Sequence, residues 1–156
     1  MPKLVRHDIV GDIMKIMIIG SMAFAKEMVK VQKELENLGH SAHIPEGSEP
    51  HLKDNSFVDN LEENLEFCIK NNVMKRNFDE VEKSDAVLVL NHKRNGINGY
   101  IGVSALMEMA IAHHFNKKIF LFNKPPHYKD ARWAHEVAIV QPKIINGNLA
   151  KIALSC

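Results

Sequence analysis

The chain has 156 residues, 46% hydrophobic and 25% charged, which suits one globular domain with one sizeable core and is too short for two ordinary ones. Its 20 basic and 19 acidic residues leave a net charge of +1, so charge offers no reason to expect a nucleic acid polymer or an anionic membrane as partner, although local charge can still hold a small anion. No apolar run reaches the roughly 20 residues of a membrane span, the opening segment lacks a secretory core, and Cys68 and Cys156 make no disulfide framework; a cytoplasmic protein is expected.

Residues 1–13 show no clean period and are expected to form an arm at the edge of a single domain spanning 1–156. "KIMIIGSM" (15–22) reads as a strand buried on both faces that ends in Gly20-Ser21. In the segment that follows, Met28, Val31, Leu35 and Leu38 recur at helical spacing, and Gly39 marks the stop. "SAHIPEG" (41–47) reads as a short second strand, and the polar stretch 48–60 as a loop on the ligand side. Residues 61–83 are mainly helical with a break near Asn71-Asn72. Cys68 sits at helical spacing among apolar residues and reads as core filler rather than as a nucleophile.

"SDAVLVLN" (84–91) is the third expected strand. A loop with Gly96, Gly99 and Gly102 leads into a helix expected over about 103–115. "KKIFLFN" (117–123) is the fourth strand. A loop carrying Tyr128 and Trp133 follows, then a weaker fifth strand, "VAIVQP" (137–142), and a short C-terminal helix. Alternating strands and helices predict an α/β fold, a doubly wound three-layer sandwich with a mostly parallel five-stranded sheet of flavodoxin/Rossmann-like type. Strand order 2-1-3-4-5 fits that class. Ligands in such folds bind at the C-terminal strand ends, where the loops 20–24, 91–104 and 123–128 would meet.

Two features in that crevice have chemistry to offer. Glycines before a helix let backbone N–H groups approach phosphate or sugar oxygens. The spacing G-I-N-G-Y-I-G is neither a dinucleotide fingerprint nor a P-loop, so a long turn is an equal reading. Glu108 lies about one turn into the following helix, and Ile101, Ala105, Ala112 and Phe115 fall close to its face. A partly buried carboxylate in a crevice can act as nucleophile or general base, whereas a dipole-stabilised surface glutamate would look at water.

The segment Met107-Glu108-Met109-Ala110-Ile111-Ala112, followed by Asn116-Lys117-Lys118 and a strand, resembles the nucleoside 2-deoxyribosyltransferase superfamily, which includes 2'-deoxynucleoside 5'-phosphate N-hydrolases. The opening "IMIIGSMAF" is similar to the family's first strand and turn. The resemblance covers roughly residues 15–125. It implies a glutamate nucleophile at Glu108 that attacks the anomeric carbon of a deoxyribosyl group and displaces the base. It also implies homo-oligomers whose subunits share active sites.

The chain departs from the family at three places. The family's aspartate that handles the proton of the departing base is Asn77 here, with Asp79 two residues on as the expected acid–base substitute. An aspartate or serine ahead of the nucleophile is Gly102, with Tyr100 and Ser104 as nearby hydroxyls. A first-strand tyrosine is Ile18.

Nine histidines show no zinc-site spacing, and no metal or cofactor is expected. Trp133 and Tyr128 either stack on a base or cap the core. The expected function is a nucleoside or nucleotide N-glycosidase or 2-deoxyribosyltransferase-like enzyme. Glu108 and Asp79 are the expected catalytic residues, and Gly20, Ser21, Gly99, Tyr100, Gly102 and Ser104 the substrate-binding set. The alternative is a non-catalytic nucleotide-binding module of the same fold. A phosphoribohydrolase of the lysine-decarboxylase-like family ranks last, because "GYIGVSALMEM" lacks that family's double glycine, threonine and spacing.

Overall fold

A computed structural model describes residues 13–153; residues 1–12 of the expected arm, and Cys156, lie outside the described residues. Five strands, β1 (Lys15–Ile19), β2 (Ser41–His43), β3 (Ala86–Val89), β4 (Lys118–Leu121) and β5 (Lys143–Ile144), form one all-parallel sheet in the order 2-1-3-4-5. The helices are α1 (Ala25–Asn37), α2 (Glu49–Lys53), α3 (Leu61–Lys70), α4 (Val73–Lys83), α5 (Val103–His114), α6 (Ala134–Ile139) and α7 (Ala150–Ala153). Short 3-10 turns cover Met22–Phe24 and Asn55–Asp59.

The continuous apolar strands are explained by burial on two faces. Ile16, Ile18, Leu88 and Phe120 point to one side, where Met28, Val31 and Leu35 of α1 and Ile152 of α7 cover them. Met17, Ile19, Val87, Val89, Ile119 and Leu121 point to the other, against Val81 of α4, Ala105, Met109 and Ala112 of α5, and Val137 of α6. Alternate side chains of each central strand therefore supply two separate cores.

Two expectations change. Residues 48–60 are not a plain loop: Pro50 in the first turn starts α2, and Asp54 caps the 3-10 turn by accepting from the Ser56 N–H at 3.0 Å. The fifth strand is not 137–142. Val137 and Ile139 belong to α6, where Val137 is buried and Ile139 exposed, and Gln141 at φ +52 turns the chain into β5. The break between α3 and α4 falls at Asn72, which adopts φ +51. Among the described residues no helix is long and apolar enough to cross a membrane.

The crevice at the C-terminal strand ends is held by a side-chain clamp. Asn91, after β3, and Asn123, after β4, are tied by three hydrogen bonds. The Asn91 amide donates to the Asn123 carbonyl at 2.7 Å, and the Asn123 backbone N–H donates back to the Asn91 side-chain oxygen at 2.8 Å. The Asn123 amide reaches the Asn91 carbonyl at 3.1 Å. These groups are the first beyond the ladder, and pairing them keeps buried polar atoms satisfied.

Candidate functional site

Helix α5 positions the central carboxyl. Ala105, Met109 and Ala112 face the sheet, and Glu108 lies one step around the helix, on the flank that packs against α4. Ser104, four residues earlier, stands on the same flank. Glu108 is 6% exposed. Desolvation raises its carboxyl to about 8, and no charge or hydrogen bond from the described residues offsets that burial. The group is thus a neutral acid at physiological pH until something in its surroundings changes.

Glu108 and Ser104 line a small cavity of about 140 Å³. Gly20, at the end of β1, forms part of its floor. A Cβ at Gly20 would lie 2.8 Å from the Leu90 carbonyl oxygen, so only glycine lets β1 turn away this close to β3. The segment after β2 supplies another wall, through Glu46 and Gly47, and α3 supplies Asn64 and Cys68.

Several of these wall groups are already engaged. Asn77 of α4 is buried and grips the backbone of Glu46: its side-chain oxygen accepts from the Glu46 N–H at 2.8 Å, and its amide donates to the Glu46 carbonyl at 3.3 Å. The Glu46 carboxylate meets His43 Nε2 at 3.0 Å and is also bound by the Arg76 guanidinium. Cys68 donates to the Asn64 side-chain oxygen at 3.3 Å, and burial pushes its thiol up. The cysteine read as core filler is half-buried in the cavity wall.

His51 of α2 is the residue that sequence reasoning missed. It lines the same cavity and is 3% exposed. Its ring sits edge-on to Phe57, centroids 5.0 Å apart, and its Nδ1 is buried with no hydrogen-bond partner. Burial lowers its pKa. The one available signal was its position in a stretch already assigned to the ligand side; a lone histidine in a polar run carries no pattern.

Of the expected site residues, Gly20, Ser104 and Glu108 come together at the cavity. The others lie elsewhere. Ser21 caps the 3-10 turn, accepting from the Ala23 N–H at 3.2 Å. Gly99 is buried at φ +74, and a Cβ there would meet the Lys124 carbonyl oxygen at 2.2 Å, so this glycine lets two loops lie against each other. Tyr100 stands edge-on to Trp133 at 6.4 Å, which favours core capping for that tryptophan. Gly102 occupies the N-cap position of α5, with the Tyr100 ring 3.7 Å from where a Cβ would be.

Asp79 is half-exposed and faces Lys75 at 3.9 Å, away from the cavity. It sits two residues beyond Asn77 on α4, and that step of about 200° carries it to the far side of the helix. Among the described residues no three His, Cys, Asp or Glu side chains converge as a metal site requires. No family model, no curated protein and no solved structure matches the chain.

Proposed function

We propose that this protein cleaves the N-glycosidic bond of a nucleoside or nucleotide, with Glu108 as the nucleophile. One observation carries the reading: a carboxyl with no partner is buried at the wall of a small cavity, at the strand ends where this fold class binds ligands. Burying a carboxyl unpaired costs stability, and an apolar side chain would fill the same volume without that cost. The cost becomes useful when positive charge develops beside it, as at the anomeric carbon of an oxocarbenium-like transition state. The motif around Glu108, similar to the nucleoside 2-deoxyribosyltransferase superfamily, points the same way.

In the proposed reaction the ionised Glu108 attacks the anomeric carbon, the base departs, and water or a second base takes the sugar from the ester. Ser104, on the same flank, would hold a sugar hydroxyl or phosphate oxygen. The test is release of free base from a panel of deoxynucleosides and their 5'-monophosphates. Wild type is expected to release base, and Glu108→Gln to lose at least ~10³-fold in turnover while retaining affinity. Equal turnover by both proteins would overturn the assignment.

A second reading has its own support. Asn77 is occupied by the Glu46 backbone and Asp79 points away, so the aspartate expected to manage the proton is missing from the cavity. A binding module without turnover would then show affinity for nucleotides and no base release from any substrate.

We further propose a homo-oligomer in a reducing compartment. Leu61, Leu65 and Ile69 form an i, i+4, i+8 stripe along α3, exposed by 75%, 62% and 71%. Glu62 and Glu66 flank the start of the stripe and Lys70 its end, so an antiparallel α3 pair from a second copy would match charge as well as shape.

A further inference from the structure

His51 has no packing reason to be a histidine. Its ring fills space against Phe57, as a leucine or phenylalanine would, yet it buries a ring nitrogen without a partner. The atom lies in the residue that shares the Glu108 cavity. We infer that His51 is the proton carrier of the site, taking the proton from Glu108 as the nucleophile forms and delivering it to the departing base. This inference rests on the glycosidase reading above.

The other titratable walls are excluded by what they already do. The Glu46 carboxylate is held by His43 and Arg76. The Cys68 thiol donates to Asn64, and burial keeps it protonated. Asn77 has no proton to exchange and spends both amide atoms on the Glu46 backbone. Asp79 faces Lys75 outside the cavity. Among the described residues that line the cavity with Glu108, only His51 has a titrating ring nitrogen with no partner.

The proton balance closes. At rest Glu108 is protonated and His51 neutral, since burial raises the one and lowers the other. Transfer gives a carboxylate and an imidazolium. The carboxylate oxygen bonds to the anomeric carbon as the carbon–nitrogen bond breaks. Its electron pair goes to the base, which takes the imidazolium proton. In the second half, water attacks the anomeric carbon, the ester bond breaks with its pair returning to Glu108, and His51 accepts the water proton. That proton returns to Glu108 and restores the resting state.

The test compares a deoxynucleoside with a neutral base against 7-methyl-2'-deoxyguanosine, whose base is already cationic and leaves without a proton. His51→Asn and His51→Gln are expected to slow first-turnover base release on the neutral-base substrate by roughly 10²–10⁴-fold. On the methylated substrate, compared above about pH 8 where solvent ionises Glu108, first-turnover base release should stay within about tenfold of wild type, because hydrolysis of the ester, which also uses His51, comes after that step. Glu108→Gln should fail on both.

Wild type alone provides a second readout should the variants not fold. Its kcat/KM on the neutral-base substrate should be bell-shaped, falling above about pH 8 where the shared proton is lost; on the methylated substrate it should rise through about 8 and stay high. Equal losses on both substrates, or superimposable pH profiles, would overturn the His51 role and leave Glu108 standing. A folded wild type that releases no base from either substrate would overturn the glycosidase reading and this inference with it.

Discussion

Glu108 is where burial and chemistry meet in a single residue. Its carboxyl is raised from an ordinary value of 4.5 to about 8 by desolvation. The folded protein therefore binds this proton more tightly than the unfolded chain does. The associated stability is fully present below about pH 4.5 and is lost as pH rises through about 8. Within that window wild type should lose up to ~1.4 kcal/mol per pH unit relative to Glu108→Gln, a difference of a few kcal/mol in all. Urea unfolding of both proteins across the window measures it, and parallel stability curves would contradict the buried, proton-holding carboxyl. This residue was legible before the structure, because a charge amid apolar helix positions needs a reason. His51 was not, because its contact with Phe57 and its place in the cavity wall come from the fold, which no local pattern records.

Loops and helices divide the crevice between holding and reacting. From its composition the Gly-rich loop reads equally as a ligand cradle and as a long turn. In the fold its buried glycine, Gly99, presses against the Lys124 carbonyl at φ +74, and the loop's work is to join the segments after β3 and β4. Gly99→Ala combines an unfavourable φ with a backbone clash and should cost ~2 kcal/mol or more, read as a lower midpoint in chemical denaturation. Gly96 shares that φ at +75 but a Cβ there meets nothing, so Gly96→Ala should carry the backbone strain alone and separates it from the clash.

The central strands were readable because two-sided burial makes them continuously apolar. The fifth strand was not. "VAIVQP" has three β-branched residues in its first four, yet helical spacing sends Val137 to the core, while the true β5 pairs through only Lys143 and Ile144. Two residues at a sheet edge carry too little pattern to outweigh a stronger neighbour.

At the scale of the whole molecule, strand order 2-1-3-4-5 sets β1 beside β2, so that Gly20 after β1 and Pro45 to Gly47 after β2 meet at the cavity, and α3 and α4 close it from the side. Helix α3 has two faces with different uses: Asn64 and Cys68 toward the cavity, Leu61, Leu65 and Ile69 toward water. A second copy docked on that outer face would stiffen the wall of the site it covers. Light scattering should give a dimer for wild type and a monomer for Leu65→Arg, with the isolated fold little destabilised because that side chain buries so little within the chain. An unchanged mass for the variant would remove α3 as the interface.

The central claim is that the Glu108 oxygen bonds to a sugar carbon, and trapping that bond is its most direct test. A 2'-deoxy-2'-fluoronucleoside slows breakdown of such an ester, because fluorine disfavours positive charge at the anomeric carbon. Wild type would be incubated with it and read by intact mass, then by peptide mapping. We expect one added fluorodeoxyribosyl group on the peptide carrying Glu108, and none on Glu108→Gln. Base release with the adduct on another residue, or turnover with no adduct at all, would contradict the account.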